Sequence, residues 1–371
     1  MTHRLVSVMA VTAACSGGGG PAGTGPDAST ADFVEHASFD VAETHLAAGD
    51  VDNDGDVDLY MTTNGGGTVS GHSSSAKLAR NDGDGTLVVE DATLINWDCG
   101  RPRLEKVDAD DLLDVVCLPQ ASGGATALLN QGQGAFLGAG YDNNTYATAA
   151  RAWPVLAASP LVAATFSQGL VAFELVDTTQ QMPIAMTLAP DPFTTLTIAD
   201  LDGDGKPELI AGTDMMWSVF SGADQSRHDV AGMPGDLETA DLNRDGHPDL
   251  LAISDANVAI SLVSGGLLTA PVTVSGPPVE ADHFVVDYDA DGNSDLVFIG
   301  VGPQVYVMRG DGAGSLKPPE LLSIAGTPIP TFMAGHRLAA VADFDHDGKI
   351  DLAISDVQAH TVRIWFGQFG G

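Results

Sequence analysis

An all-β fold, a seven-bladed β-propeller of four-stranded antiparallel blades, is predicted by three features of the 371-residue chain. A nine-residue acidic pattern recurs five times, each time between short apolar runs of strand length. Glycine-rich turns such as NDGDGTL, NQGQGAF and GDGAGSL follow at similar distances. The chain holds 44 glycines and no convincing long helical pattern. Repeats of this length with four short strands each are the sequence signature of propeller blades.

At the start, MTHRLVSVMAVTAA places His3 and Arg4 ahead of an apolar run too short to span a bilayer and ends in small residues, as an export signal does. Residues 1–14 are therefore expected to be a signal peptide. Cys15 follows directly, and VTAAC resembles a bacterial lipoprotein cleavage box, with Thr12 where leucine is usual. Lipidation of Cys15 at the cell envelope, or free secretion, is expected. The Gly/Ser/Pro-rich segment 15–30 reads as a flexible tether and residues 31–371 as the propeller.

The repeated pattern is DVDNDGDVD from Asp50, DLDGDGKPE from Asp200, DLNRDGHPD from Asp241, DYDADGNSD from Asp287 and DFDHDGKID from Asp343. So many carboxylates in nine residues repel one another unless a cation sits among them. Calcium takes six to eight oxygens, and a curled loop supplies them from alternate residues. Positions one, three and five are Asp50, Asp52 and Asp54; Asp200, Asp202 and Asp204; Asp241, Asn243 and Asp245; Asp287, Asp289 and Asp291; and Asp343, Asp345 and Asp347. The glycine at position six permits the sharp turn. Backbone carbonyls of Asp56, Lys206, His247, Asn293 and Lys349 are expected at position seven, and Asp58, Glu208, Asp249, Asp295 and Asp351 close the shell at position nine. A helix–loop–helix calcium site would want Glu at position twelve, where the second loop has Ala211. Flanking runs such as LTIA and ELIAG place these loops between the first and second strands of a blade instead. About five structural calcium sites are expected.

A sixth copy, KVDADDLLD, keeps Asp108, Asp110 and Asp114 but has Lys106 at position one and Asp111 where glycine belongs. Its lysine is expected to replace the metal as counter-charge. From Lys106 to Asp200 the spacing is roughly double the other intervals, and AWPVLAASPLVAATFSQGLVAFELVD fills it with a blade whose turn carries no acidic loop. That makes seven units. ADFVEHASFDV resembles a fourth strand, while TVRIWFGQFGG ends where a third strand would, so the N-terminal strand near Phe33 is expected to complete the last blade beside Ile364 and Phe366.

The D-x-D-x-D-G-x-x-D-L loops together with the glycine turns resemble the FG-GAP/VCBS repeat proteins, whose relatives include the integrin α-subunit heads. The resemblance covers about residues 31–371 and implies a calcium-stabilised propeller, often a binding or adhesion module.

A formal charge of −35 leaves the surface acidic even with calcium bound, which argues against nucleic acid as a partner and leaves a lipid anchor as the only expected membrane contact. A monomer is expected. Cys99 and Cys117 flank the sixth loop; a disulfide and two buried thiols are both open. No G-x-S-x-G, H-E-x-x-H or phosphate-binding glycine loop is present, and GHSSSA at Gly71 reads as a connector. His247 and His346 read as solvent-exposed loop histidines. The face opposite the calcium loops collects Trp97, Trp153, Trp217, Asp214, Asp255, Asn257, Asp356 and His360, with Arg101, Arg103 and His283 nearby, and is expected to recognise a protein or polysaccharide at the cell surface. A lectin-like sugar binder or a polysaccharide-acting enzyme is the alternative.

Overall fold

A computed structural model describes residues 31–368 apart from 42–43, 64–74, 93–98, 100, 109, 119–124, 133–134, 142–146, 154–160, 167–168, 175–183, 255, 278–280, 301–303, 328, 330–337 and 357. The expectations for residues 1–30, including Cys15, and those for Trp97 and Asp255 lie outside the described residues.

Among the described residues every regular element is a strand, and seven antiparallel sheets follow one another around a ring. Blade 1 runs from Thr44–Gly49 to Leu87–Asp91, blade 2 from Arg101–Glu105 to Phe136–Tyr141, and blade 3, the one without an acidic loop, from Ala147–Ala152 to Ile184–Ala189. Blade 4 runs from Thr195–Ala199 to Arg227–Ala231, blade 5 from Asp236–Ala240 to Val272–Ser275, and blade 6 from Ala281–Val286 to Glu320–Leu322. Blade 7 holds Ala339–Ala342, Asp351–Asp356 and Thr361–Gly367, with Phe33–Asp40 as its fourth strand.

Burial follows position in the blade. Second strands are covered on both faces by the neighbouring blades, so Glu208–Gly212 and Asp295–Gly300 are buried throughout, and their sequences ELIAG and DLVFIG are almost continuously apolar. Outer strands are covered less, and Arg227–Ala231, RHDVA, is mostly exposed. The core is thus a set of seams between blades. Val297 and Ile299 of blade 6, for example, pack with Leu352, Ile354 and Trp365 of blade 7.

Ring closure matches the strand pairing expected from sequence, in a register that sets Val34 opposite Phe366 and Ala37 opposite Ile364. One further strand was not legible. Ile324–Ala325, from the link between blades 6 and 7, pairs parallel to Phe33–Val34 and covers the edge that the N-terminal strand would otherwise leave open. Asp32 adds a polar latch, its Oδ2 accepting from Ser323 N (2.7 Å) and Ser323 Oγ (2.6 Å).

Innermost strands face the ring axis, where charged side chains from different blades pair. Arg103 of blade 2 reaches across to Glu238 of blade 5 (3.1 Å), and Arg151 of blade 3 lies 3.5 Å from Glu105. Burial, reinforced by Arg103, lowers Arg151 to about 10, and against the opposite pull of burial the two arginines hold Glu238 below its usual range. A cavity of about 200 Å³ remains between blades 1, 2, 6 and 7, walled by Leu46, Leu104, Phe284 and Val341. Arg103 and His283 therefore face the axis rather than the outer ligand face. Their positions on innermost strands, not on the connecting loops, decide this.

Phe33 is fully buried with Tyr288 and Trp365 at the closure seam. Phe33→Ala is expected to cost about 3–5 kcal/mol. Urea unfolding of the purified chain measures this, and a loss below about 1 kcal/mol would mean that the closing strand contributes little to the fold.

Candidate functional site

The five intact acidic loops share one hydrogen-bond scheme. Position one accepts from the N–H groups of positions five and six: Asp50 from Asp54 (3.1 Å) and Gly55 (3.0 Å), Asp287 from Asp291 (3.1 Å) and Gly292 (2.9 Å). Position five accepts from position seven, as in Lys206 N to Asp204 Oδ1 (2.8 Å) and Asn293 N to Asp291 Oδ1 (2.8 Å). This curl requires left-handed backbone at two positions. Position six is always glycine, with φ from 79 to 100°. Position four is also left-handed yet holds Asn53, Arg244, Ala290 and His346 as well as Gly203. Bulky residues there carry a strain of order 1 kcal/mol or more, which the surrounding bonds must offset.

Position nine does something else. Its carboxylate is buried and accepts one N–H from position two and one from the end of the third strand. Asp58 accepts from Val51 (3.0 Å) and Asn81 (2.9 Å), Asp295 from Tyr288 (2.8 Å) and Gly310 (2.7 Å), and Asp351 from Phe344 (2.7 Å) and Gly367 (2.9 Å). Glu208 and Asp249 repeat the pattern. Each is a clip joining the loop, the second strand and the third. Blade 2, whose loop has lysine at position one, keeps it: Asp114 accepts from Val107 (2.8 Å) and Asn130 (2.8 Å). Burial raises these acids, Asp58 and Asp295 to about 6 and Asp351 to about 7, with the clip bonds pulling the other way.

The loops present oxygens as a hard cation would need them. In the sets Asp50, Asp52, Asp58; Asp200, Asp202, Glu208; Asp287, Asp289, Asp291; and Asp343, Asp345, Asp347, one oxygen from each residue lies within 4.8 Å of the others. Asp52 Oδ1, Asp289 Oδ1 and Asn293 Oδ1 are buried without a hydrogen-bond partner, the condition that a bound cation relieves. In blade 7, burial and then the charges of Asp347 and Asp343 raise Asp345. The residues fit a metal ion. Asp108, Asp110 and Asp114 of blade 2 also cluster within 4.8 Å, and Lys106 Nζ lies 3.5 Å from Asp111 in the same loop.

Neighbouring loops touch, which sequence reasoning missed. The position-four side chain reaches into the next blade: His346 Nε2 lies 2.9 Å from Asp56 of blade 1, and Arg244 Nη2 donates to the Asp291 carbonyl of blade 6 (2.6 Å). His247 packs over Gly203 of blade 4, where a Cβ would lie 3.3 Å from the imidazole. His346 is exposed, as expected, but also bridges to the next blade, while His247 is half-buried against blade 4. Cys99 and Cys117 form a disulfide beside the sixth loop, Cα–Cα 5.0 Å.

On the opposite face the sequence reading needs correction. Trp153 and Trp217 are 0% exposed, their Nε1 groups donating to the carbonyls of Pro207 (3.0 Å) and Met233 (3.1 Å). They are packing residues of the seams and offer no contact surface. Asp214, Asn257 and His360 are exposed, while Asp356 is half-buried and accepts from Arg363 (3.0 Å). The structure adds Met215, 80% exposed between the second and third strands of blade 4, and Met233, 37% exposed in the link to blade 5. Gly232 N donates to the Met215 carbonyl (2.9 Å), so the backbone segments that carry the two methionines meet on this face.

Fold and loops together define a β-propeller built from acidic-loop repeats. The FG-GAP-like repeat family matches residues 200–252 and 287–354, which contain the loops of blades 4 to 7. The chain is a β-propeller that carries FG-GAP-like repeats over those residues. Among solved structures it is similar to an Agrocybe aegerita lectin described as recognising non-reducing terminal N-acetylglucosamine, at 14% identity over 77% of this chain and 81% of that one, TM-score 0.53. It is similar also to BBS1N solved in complex with ARL6DN, at 10% identity over 92% of this chain and 98% of that one, TM-score 0.56. At such identities the likeness is one of fold. No curated protein sequence matches the chain.

If the position-nine clip is structural in its own right, Asp114→Ala strands two buried N–H groups and should cost about 1–3 kcal/mol for each. The loss should be the same in calcium and in excess chelator. Thermal melts in both buffers check this, and a loss seen only with calcium would make Asp114 a metal ligand instead.

Proposed function

We propose that this protein is an exported, calcium-stabilised binding module that recognises a protein partner through the face opposite its acidic loops. The observation that carries the reading is Met215, the most exposed large apolar side chain among the described residues, with the partly exposed Met233 carried on the adjoining backbone. Methionine is flexible and polarizable and suits adaptable protein contacts. Sugar recognition commonly stacks a ring on an exposed aromatic, and burial of Trp153 and Trp217 removes two of the candidates for that role. The lectin-like fold keeps sugar binding as the second reading.

Calcium is the proposed cation for the loops of blades 1, 4, 5, 6 and 7. Carboxylate, amide and carbonyl oxygens in a tight curl suit its large, variable shell better than the strict octahedron of magnesium. Proposed anchoring through Cys15 agrees with the geometry of the chain ends. Phe33 pairs with Gly367, and Gly367 N donates to Asp351 at the end of the blade 7 acidic loop, so the described chain starts and ends on the metal-loop face. A tether at the N-terminus would leave the methionine face pointing outward.

Met215→Asp should leave the melting temperature within about a degree, as exposed substitutions generally do, while abolishing crosslinks to a cell-surface protein that the wild type forms. A glycan array read in parallel decides the second reading: sugar binding retained in Met215→Asp, with no crosslinked protein in the wild type, would overturn the proposal. For the anchor, labelled palmitate in a bacterial host should be incorporated in the wild type and lost in Cys15→Ser. An unlabelled wild type would point to plain secretion.

A further inference from the structure

In blades 1 and 6 an arginine at the third strand holds the loop carboxylate at position three. Arg80, in Ser75–Asn81, donates from Nη1 to Asp52 Oδ2 and from Nε to Glu90 on the outer strand. Arg309, just past Val305–Met308, donates from Nε to Asp289 Oδ2 (2.9 Å) and from Nη1 to Glu320. The two occupy the same place in the repeat, since each precedes the residue, Asn81 or Gly310, whose N–H closes the position-nine clip. At that place the other clipped blades have Leu129, Ser221, Leu262 and Phe366, none of which carries charge. In both arginine blades the second oxygen, Asp52 Oδ1 or Asp289 Oδ1, is buried and without a hydrogen-bond partner. Lys349 in blade 7 does bond Asp347 (2.6 Å), but from within the loop itself on a flexible stem.

We propose that Arg80 and Arg309 are positioning residues that fix Asp52 and Asp289 through one oxygen, reserve the other for a cation, and supply the counter-charge when the cation is absent. The inference rests on the calcium reading above. Its physical basis is the guanidinium fork, which bridges two carboxylates in a fixed plane. Once a dication enters, the arginine shares its aspartate with that ion and is repelled by it. The arginine therefore stabilises the metal-free blade more than the loaded one. By reciprocity, removing it must tighten cation binding at that loop. Blades 1 and 6 would then hold their shape without metal, whereas blades 4, 5 and 7 depend on it.

The test uses the full chain with Arg80→Met and Arg309→Met as separate variants, melted in saturating calcium and in excess chelator and titrated with calcium by calorimetry. The expected result is a melting temperature lower by several degrees in chelator, a clearly smaller loss in calcium, unchanged stoichiometry, and severalfold tighter binding at one site. Arg80→Lys, keeping the charge without the fork, should recover part of the loss and serves if a methionine variant does not fold. Equal losses in both buffers, or weaker calcium binding, would overturn the proposal. A wild type whose melting curve is the same in calcium and chelator would instead overturn the calcium reading, and the proposal with it.

Discussion

In every blade but the third, one buried carboxylate fixes the inner part of the blade, and it is the last acid of the loop rather than the first. Placed at the start of the second strand, it bonds backward to the loop and sideways to the third strand, so one buried side chain sets where three segments meet. Two charge-assisted bonds to backbone N–H groups are what allow an ionised group to sit where a blade seam would otherwise be dry. Inner strands, loop and glycine turn all take their relative positions from it. Blade 2 makes the point by subtraction. Its loop has lost its first acid and its glycine, yet Asp114 and its two bonds persist.

The acidic loops are then a second layer of order placed on a frame that already exists. Within each loop the first carboxylate is partly satisfied by N–H groups of the curl, which lowers the repulsion among neighbouring acids but leaves oxygens such as Asp289 Oδ1 without a partner. Side chains at position four carry the order from one blade to the next, through His346 to Asp56 and through Arg244 to the Asp291 carbonyl. The loops of blades 4, 5 and 6, and those of blades 7 and 1, are thereby joined along one face.

Much of this was legible in the sequence, because it depends on spacing. The nine-residue frame gave the loops, the doubled interval gave the hidden blade, and the likeness of residues 31–41 to an outer strand gave the closure. Failures came where direction mattered. Trp153 and Trp217 lie near strand ends, which suggested exposure, but their rings turn into the seams and their indole N–H groups find carbonyls there. Arg103 and His283 were placed on the outer face although they belong to innermost strands facing the axis. Nothing in the sequence pattern sets Arg80 and Arg309 apart. Only the clip bonds of the residues that follow them, Asn81 and Gly310, show that two arginines far apart in the chain occupy one position.

The closing sheet also has a mechanical meaning. Phe33–Asp40 and Thr361–Gly367 run antiparallel, with Phe33 opposite Gly367. Pulling the two chain ends apart would load this ladder one bond at a time from that end, like opening a zipper. A pull on the N-terminus against a load held by the opposite face is different, because it draws the strand lengthwise and strains the whole row of perpendicular hydrogen bonds together. The same seam is therefore weak to peeling and strong in shear, and the anchored module proposed above would work in the second geometry.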